Sequence, residues 1–103
     1  MINLTPHTII VRTPEGDVTI PPSGQLARVS TAETVVGTVL GVPVVERRFF
    51  EVEGLPPDGT PCIVSALVLS ACPGRAGVYA PDSGPTAVRE NGQVVAVTRL
   101  VAA

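Results

Sequence analysis

Eleven prolines and ten glycines are scattered through 103 residues, and they constrain this chain more than any other feature of it. Proline inside a helix removes a backbone hydrogen bond and clashes with the preceding turn, while glycine loses the most entropy when it is ordered. Long helices are therefore excluded, which leaves many short elements joined by tight turns. Apolar runs lie between the breakers, so the chain has material to bury and does not have the composition that stays disordered. It carries no internal repeat and no low-complexity tract.

A chain of 103 residues makes one domain, with room for a core but not for separate substrate and cofactor domains, so one site or one interface is expected. Hydrophobic residues make up 45% of it, yet only Phe49, Phe50 and Tyr79 are aromatic, which leaves the core to Val, Leu, Ile and Ala. Seven Arg and no Lys face nine Asp and Glu, for a net charge of −2. Phosphate neutralisation needs a basic stripe, which argues against duplex nucleic acid as a partner. The absent Lys beside abundant Ala, Val, Gly, Pro and Arg fits GC-rich coding DNA and speaks only to origin. The start, Met1 to His7, has neither a basic region nor an apolar one of signal type, and no run is long enough to span a bilayer. A cytoplasmic protein without a membrane partner is the expectation.

Along the chain, His7–Arg12 and Asp17–Ile20 read as two strands about the turn Thr13-Pro14-Glu15-Gly16, and Gln25–Ser30 as a third strand of a meander. Ser30-Thr31-Ala32-Glu33 has the spacing of a capping box, but Thr34-Val35-Val36-Gly37 is poor helix material, so one helical turn or an irregular loop is predicted there. Gly41–Phe50 reads as a strand emerging from the core towards solvent, Glu51–Gly59 as a loop, and Thr60–Val64 as a buried strand. A short helix is predicted over 65–72, capped by Ser65, stopped by Pro73-Gly74, and docked through Leu67, Val68 and Ala71. Gly77–Ala80 is a further short strand, and Thr86–Arg89 pairs with Gln93–Val101 across Asn91-Gly92, a strong hairpin signal. The fold class is mainly β, a small α+β domain: an antiparallel twisted sheet or small barrel with one short helix.

The chemistry-bearing residues form no catalytic set. Cys62 and Cys72 lack metal-ligand or CxxC spacing and read as buried free thiols. His7 is the only imidazole and has no spaced partner, and Ser83 lacks the Gly-x-Ser-x-Gly frame of a nucleophile elbow. Glu51 and Glu53 would share one face of an extended segment, where paired carboxylates can do acid and base work or hold a divalent cation; in a loop beside Gly54 they read as solvated. Arg47-Arg48 could pair with them or bind an anion. No metal or cofactor is implied. The richest cluster is the polar island Asp82-Ser83-Gly84-Pro85-Thr86 with Arg89. It supplies acceptors, hydroxyls, a guanidinium and a glycine that lets backbone N–H groups approach a ligand, a set suited to an anionic, nucleotide-like small molecule. Asp82, Ser83, Gly84, Thr86 and Arg89, with Arg28 contributing, are the candidate ligand-binding residues; a loop that merely closes the sheet is the alternative, since no phosphate-loop spacing is present.

The segments Asn3-Leu4-Thr5-Pro6-His7, Ile20-Pro21-Pro22-Ser23-Gly24 with Ala27-Arg28-Val29, Glu51-Val52-Glu53-Gly54-Leu55-Pro56, Ile63-Val64-Ser65-Ala66-Leu67-Val68 and Ala80-Pro81-Asp82-Ser83-Gly84-Pro85 with Val88-Arg89 come in a telling order. Over nearly its whole length the chain resembles a family of small proteins of tailed bacteriophages and bacterial prophages, especially of high-GC hosts. Cys62 departs from the aromatic expected before the helix in that family. The resemblance implies a context and no enzymatic activity, cofactor or catalytic residue. Small phage proteins outside the virion often act by binding, which implies a non-enzymatic module that sequesters an anionic small molecule or host signal. The alternative is a protein-interaction or homo-oligomeric module acting on a host protein through a sheet edge.

Overall fold

The computed structural model describes every residue, Met1–Ala103. In chain order the elements are β1 (Ile2–Asn3), β2 (Ile9–Thr13), β3 (Gly16–Ile20), β4 (Arg28–Val39), β5 (Val42–Glu53), β6 (Cys62–Ile63), α1 (Ala66–Ser70), β7 (Val78–Pro81), β8 (Val88–Glu90), β9 (Gln93–Ala96) and β10 (Leu100–Ala102). The protein is mainly β with one short helix, as its breakers dictate. No barrel closes. The strands form one four-stranded sheet in the order β1-β6-β7-β10 and three antiparallel hairpins, β2-β3, β4-β5 and β8-β9.

The central sheet is mixed: β1, β6 and β7 run parallel and β10 antiparallel to β7. Parallel strands are covered on both faces and read as continuous apolar runs. Cys62, Ile63 and Val64 fit that rule and are fully buried. Against this sheet α1 packs, started by Ser65, whose hydroxyl accepts from the Val68 N–H at 3.3 Å, and stopped before Pro73-Gly74. Its inward face differs from the predicted one: Val68 is buried and Leu69 packs on the core with Cys72, while Leu67 is exposed. Val68 and Cys72 are four positions apart and so stack on one side, whereas Leu67 is turned away from both. Leu4, Cys62, Val64, Val68, Cys72 and Val78 form the core cluster.

One polar side chain organises the N-terminal part. Asn3 is 1% exposed, and its amide donates to the His7 carbonyl at 2.7 Å and the Ile20 carbonyl at 3.0 Å. Its Oδ1 accepts from the Thr5 N–H at 3.0 Å and the Thr5 hydroxyl at 2.7 Å, and its backbone carbonyl accepts from Ser23. The amide thus fastens both ends of the β2-β3 hairpin to β1. The middle of β2 is held by Val97, which exchanges hydrogen bonds with Ile10 and Arg12. No third meander strand follows β3. Residues 21–27 instead cross to the start of β4, anchored by Ser23 on Asn3 and by Ala27 N–H on the Leu4 carbonyl.

The largest departure from the sequence expectation is the β4-β5 hairpin. Residues 30–37, expected as a helical turn or loop, are strand, paired with β5 except where the register shifts at Ser30 and Val36, and β5 runs on to Glu53. Thr31, Thr34, Val35 and Val36 are β-branched, and with a partner strand available the pleated conformation suits them better than one capped turn. Every residue from Ser30 to Glu51 is exposed, so the hairpin stands off the body as an arm. The radius of gyration of 15.9 Å exceeds the roughly 13 Å of a compact chain this long. The surface of 6860 Å² likewise exceeds the roughly 5,500 Å² expected of a compact monomer of this mass.

Both cysteines are free and buried in the core, and burial pushes both thiols above their ordinary range, with Arg75 partly opposing the shift. In the native protein at neutral pH, iodoacetamide is expected to leave both unmodified, and in denaturant to modify both; mass spectrometry reads the difference, and rapid native labelling would contradict the packing of α1.

Candidate functional site

The island after β7 is built by its own hydrogen bonds. Asp82 Oδ1 accepts from the Gly84 N–H at 2.9 Å, the side-chain-closed turn that Asp favours. Its Oδ2 accepts from Arg99 Nε at 2.6 Å. Arg99 first, then the Gly84 N–H, hold the Asp82 carboxyl below the usual carboxylate range. The Arg89 guanidinium donates to the carbonyls of Ser83 at 2.5 Å and Gly84 at 3.0 Å, and the Thr86 carbonyl accepts from the Thr98 hydroxyl at 2.9 Å. Below this loop, β8 and β9 are joined by Asn91 and Gly92, both with positive φ (52° and 79°), as the Asn-Gly signal requires.

Asp82, Ser83, Gly84, Thr86 and Arg89 therefore come together, while Arg28 sits elsewhere, at the base of the arm opposite Glu53. Arg99 and Thr98 belong to the cluster and went unnoticed in the sequence, because their approach depends on β10 turning back along β7. Within the cluster the strongest donors and acceptors are directed at one another. Two concavities border the island, one of about 390 Å³ lined by Thr5, Pro6, His7 and Val64 among others and one of about 160 Å³ lined by Ile10, Val94 and Val97 among others, and each takes only Pro81 and Ser83 from this stretch. Neither Asp82 nor Arg89 lines either of them.

The remaining sequence candidates are dispersed. His7 is exposed, and its carbonyl, not its ring, is engaged by Asn3. Glu53 stands opposite Arg28 in the β4-β5 ladder without an ion pair, and Glu51 lies where the register of that ladder shifts. No group of three or more His, Cys, Asp or Glu side chains comes together. Arg47 pairs with Glu33 across the arm at 2.9 Å, rather than with Glu51 or Glu53.

The arm is the other candidate, and its signal is apolar exposure. Leu40 at the tip is 97% exposed, Val35 64%, and Phe49 and Phe50 38% and 53%. A chain with three aromatic residues thus places two of them on the surface of one hairpin. Each strand of the arm has one unpaired edge. No helix is long and apolar enough to cross a membrane.

No protein family, curated protein or solved structure matches this chain.

Proposed function

We propose that the protein is a non-enzymatic interaction module of phage or prophage origin, working in the host cytoplasm, whose working part is the β4-β5 arm offering a strand edge to another polypeptide. The observation that carries this reading is the exposed apolar surface of Val35, Leu40, Phe49 and Phe50 on a hairpin that no other element covers. Isolated two-stranded ribbons are marginal in water, and large exposed apolar patches mark interaction surfaces. Strand addition supplies main-chain hydrogen bonds for affinity, and alternate side chains supply selectivity. Capture of an anionic small molecule by the 82–89 island is less well supported, because Arg89 and Asp82 are occupied by loop carbonyls and by Arg99.

Hydrogen exchange read by mass spectrometry tests the arm. Peptides covering residues 31–50 are expected to gain protection either as the purified protein is concentrated or when an extract of a high-GC bacterium is added. Exchange that responds to neither, with the β6-β7 peptides protected as in any folded core, would sink the reading.

A further inference from the structure

The arm-edge reading leaves the occupant open, and the residues of β5 narrow it. We infer that the edge of β5 pairs antiparallel with β5 of a second copy of this chain, forming a two-fold dimer with Arg47 on the axis. The inference rests on the arm-edge reading and adds its partner and register.

Three observations lead there. The first is area. The chain exposes about 1,400 Å² more than a compact monomer of 10.6 kDa should. Two copies carry twice that excess, about 2,800 Å², within the range that obligate homodimers bury. The second is self-complementarity. Antiparallel strands related by a two-fold pair residues whose numbers have a constant even sum, and side chains opposite one another lie on one face. Centred on Arg47, that rule sets Glu46 opposite Arg48 of the second copy and Arg48 opposite its Glu46. It also sets Val45 opposite Phe49 and Val44 opposite Phe50, twice each. The one like-charged pair, Arg47 with its symmetry mate, is already neutralised within each arm by Glu33. Both exposed phenylalanines thereby gain β-branched neighbours, the favoured cross-strand combination. The third is the boundary. Pro43 has no N–H to donate and ends the pairing just beyond Val44, so the register has a built-in stop. The edge of β4 offers no such match: its only carboxylate, Glu33, has no basic residue at a mirrored position, and its extra residue, Val36, falls within the arm, whereas the irregularity of β5 at Phe50-Glu51 falls at the end of the proposed pairing.

Sedimentation equilibrium and charge reversal test this directly. The wild-type protein should sediment at twice 10.6 kDa at tens of micromolar. Glu46→Arg or Arg48→Glu each places two like-charged pairs in the interface and should weaken association at least tenfold. An equimolar mixture of the two variants recreates two opposite-charge pairs and should recover the dimer. Melting temperatures close to wild type show that each exposed substitution leaves the body folded. A monomeric wild type, single variants that dimerise undiminished, or a mixture that stays monomeric would overturn the inference. If the wild type is monomeric yet residues 31–50 become protected in bacterial extract, only the second copy falls and the arm-edge reading survives. If neither concentration nor extract protects them, both fall.

Discussion

Asn3→Ala should lower the unfolding free energy by about 3–5 kcal/mol, since it leaves buried and part-buried polar groups without partners at roughly 1–3 kcal/mol each. The Ile20 carbonyl loses its side-chain donor and the buried Thr5 N–H its acceptor, while the His7 carbonyl keeps only the Thr5 hydroxyl, at 3.1 Å. A domain of this length has about 5–15 kcal/mol in total, and only twelve of its residues are buried. The variant should therefore be close to unfolding at physiological temperature. Asn3→Asp is no remedy, because it sets a carboxylate oxygen against two carbonyls where an amide donated. Urea denaturation followed by circular dichroism measures the effect, and a midpoint within error of wild type would refute the role given to this amide.

Gly54→Ala is the second large effect, expected to cost about 2–4 kcal/mol from a disfavoured backbone conformation together with steric overlap. Gly54 has φ of +87°, and a Cβ there would run into the Leu26 carbonyl oxygen, which is backbone and cannot swing aside. The site lies where the chain leaves the arm for the body, so the substitution also disturbs how the arm is seated. Gly41→Ala, at the arm tip with φ of +79° and open space around it, isolates the backbone contribution and should cost about 1 kcal/mol. Equal losses at the two positions would show that the contact with Leu26 is relieved by movement of the chain.

Where the sequence was informative, the determinant was local. Ser65 and Pro73-Gly74 mark the helix because capping and termination act within a turn. Asn91-Gly92 marks its hairpin because two consecutive positive-φ residues leave the chain few alternatives. The residues around Ser30 misled for the same reason in reverse: a capping signal is visible locally, but the competing partner, Val42–Glu53, is visible only once paired. The apolar run in β5 looks like core-bound strand material, and nothing in one chain reveals that its neighbours are solvent. Asn3 shows the same blindness with opposite sign, since a polar residue two positions from the N-terminus becomes one of the least accessible in the molecule. The 82–89 island is recognisable as a cluster, but the partners Thr98 and Arg99 that occupy it arrive from the connection between β9 and β10.

The order of strands in the central sheet also sets a timetable. β1 lies beside β6, some sixty residues further on, and β7 and β10 follow later still. On a ribosome adding about 5–20 residues per second, β1 waits roughly 3–12 s for its neighbour to be made. A hairpin such as β4-β5 needs only about 1–10 μs to close. The arm can therefore take shape on the nascent chain seconds before the sheet that carries it, and neighbouring ribosomes on one message would bring such arms together at high local concentration. Assembly by this route would begin before the body of either copy had folded.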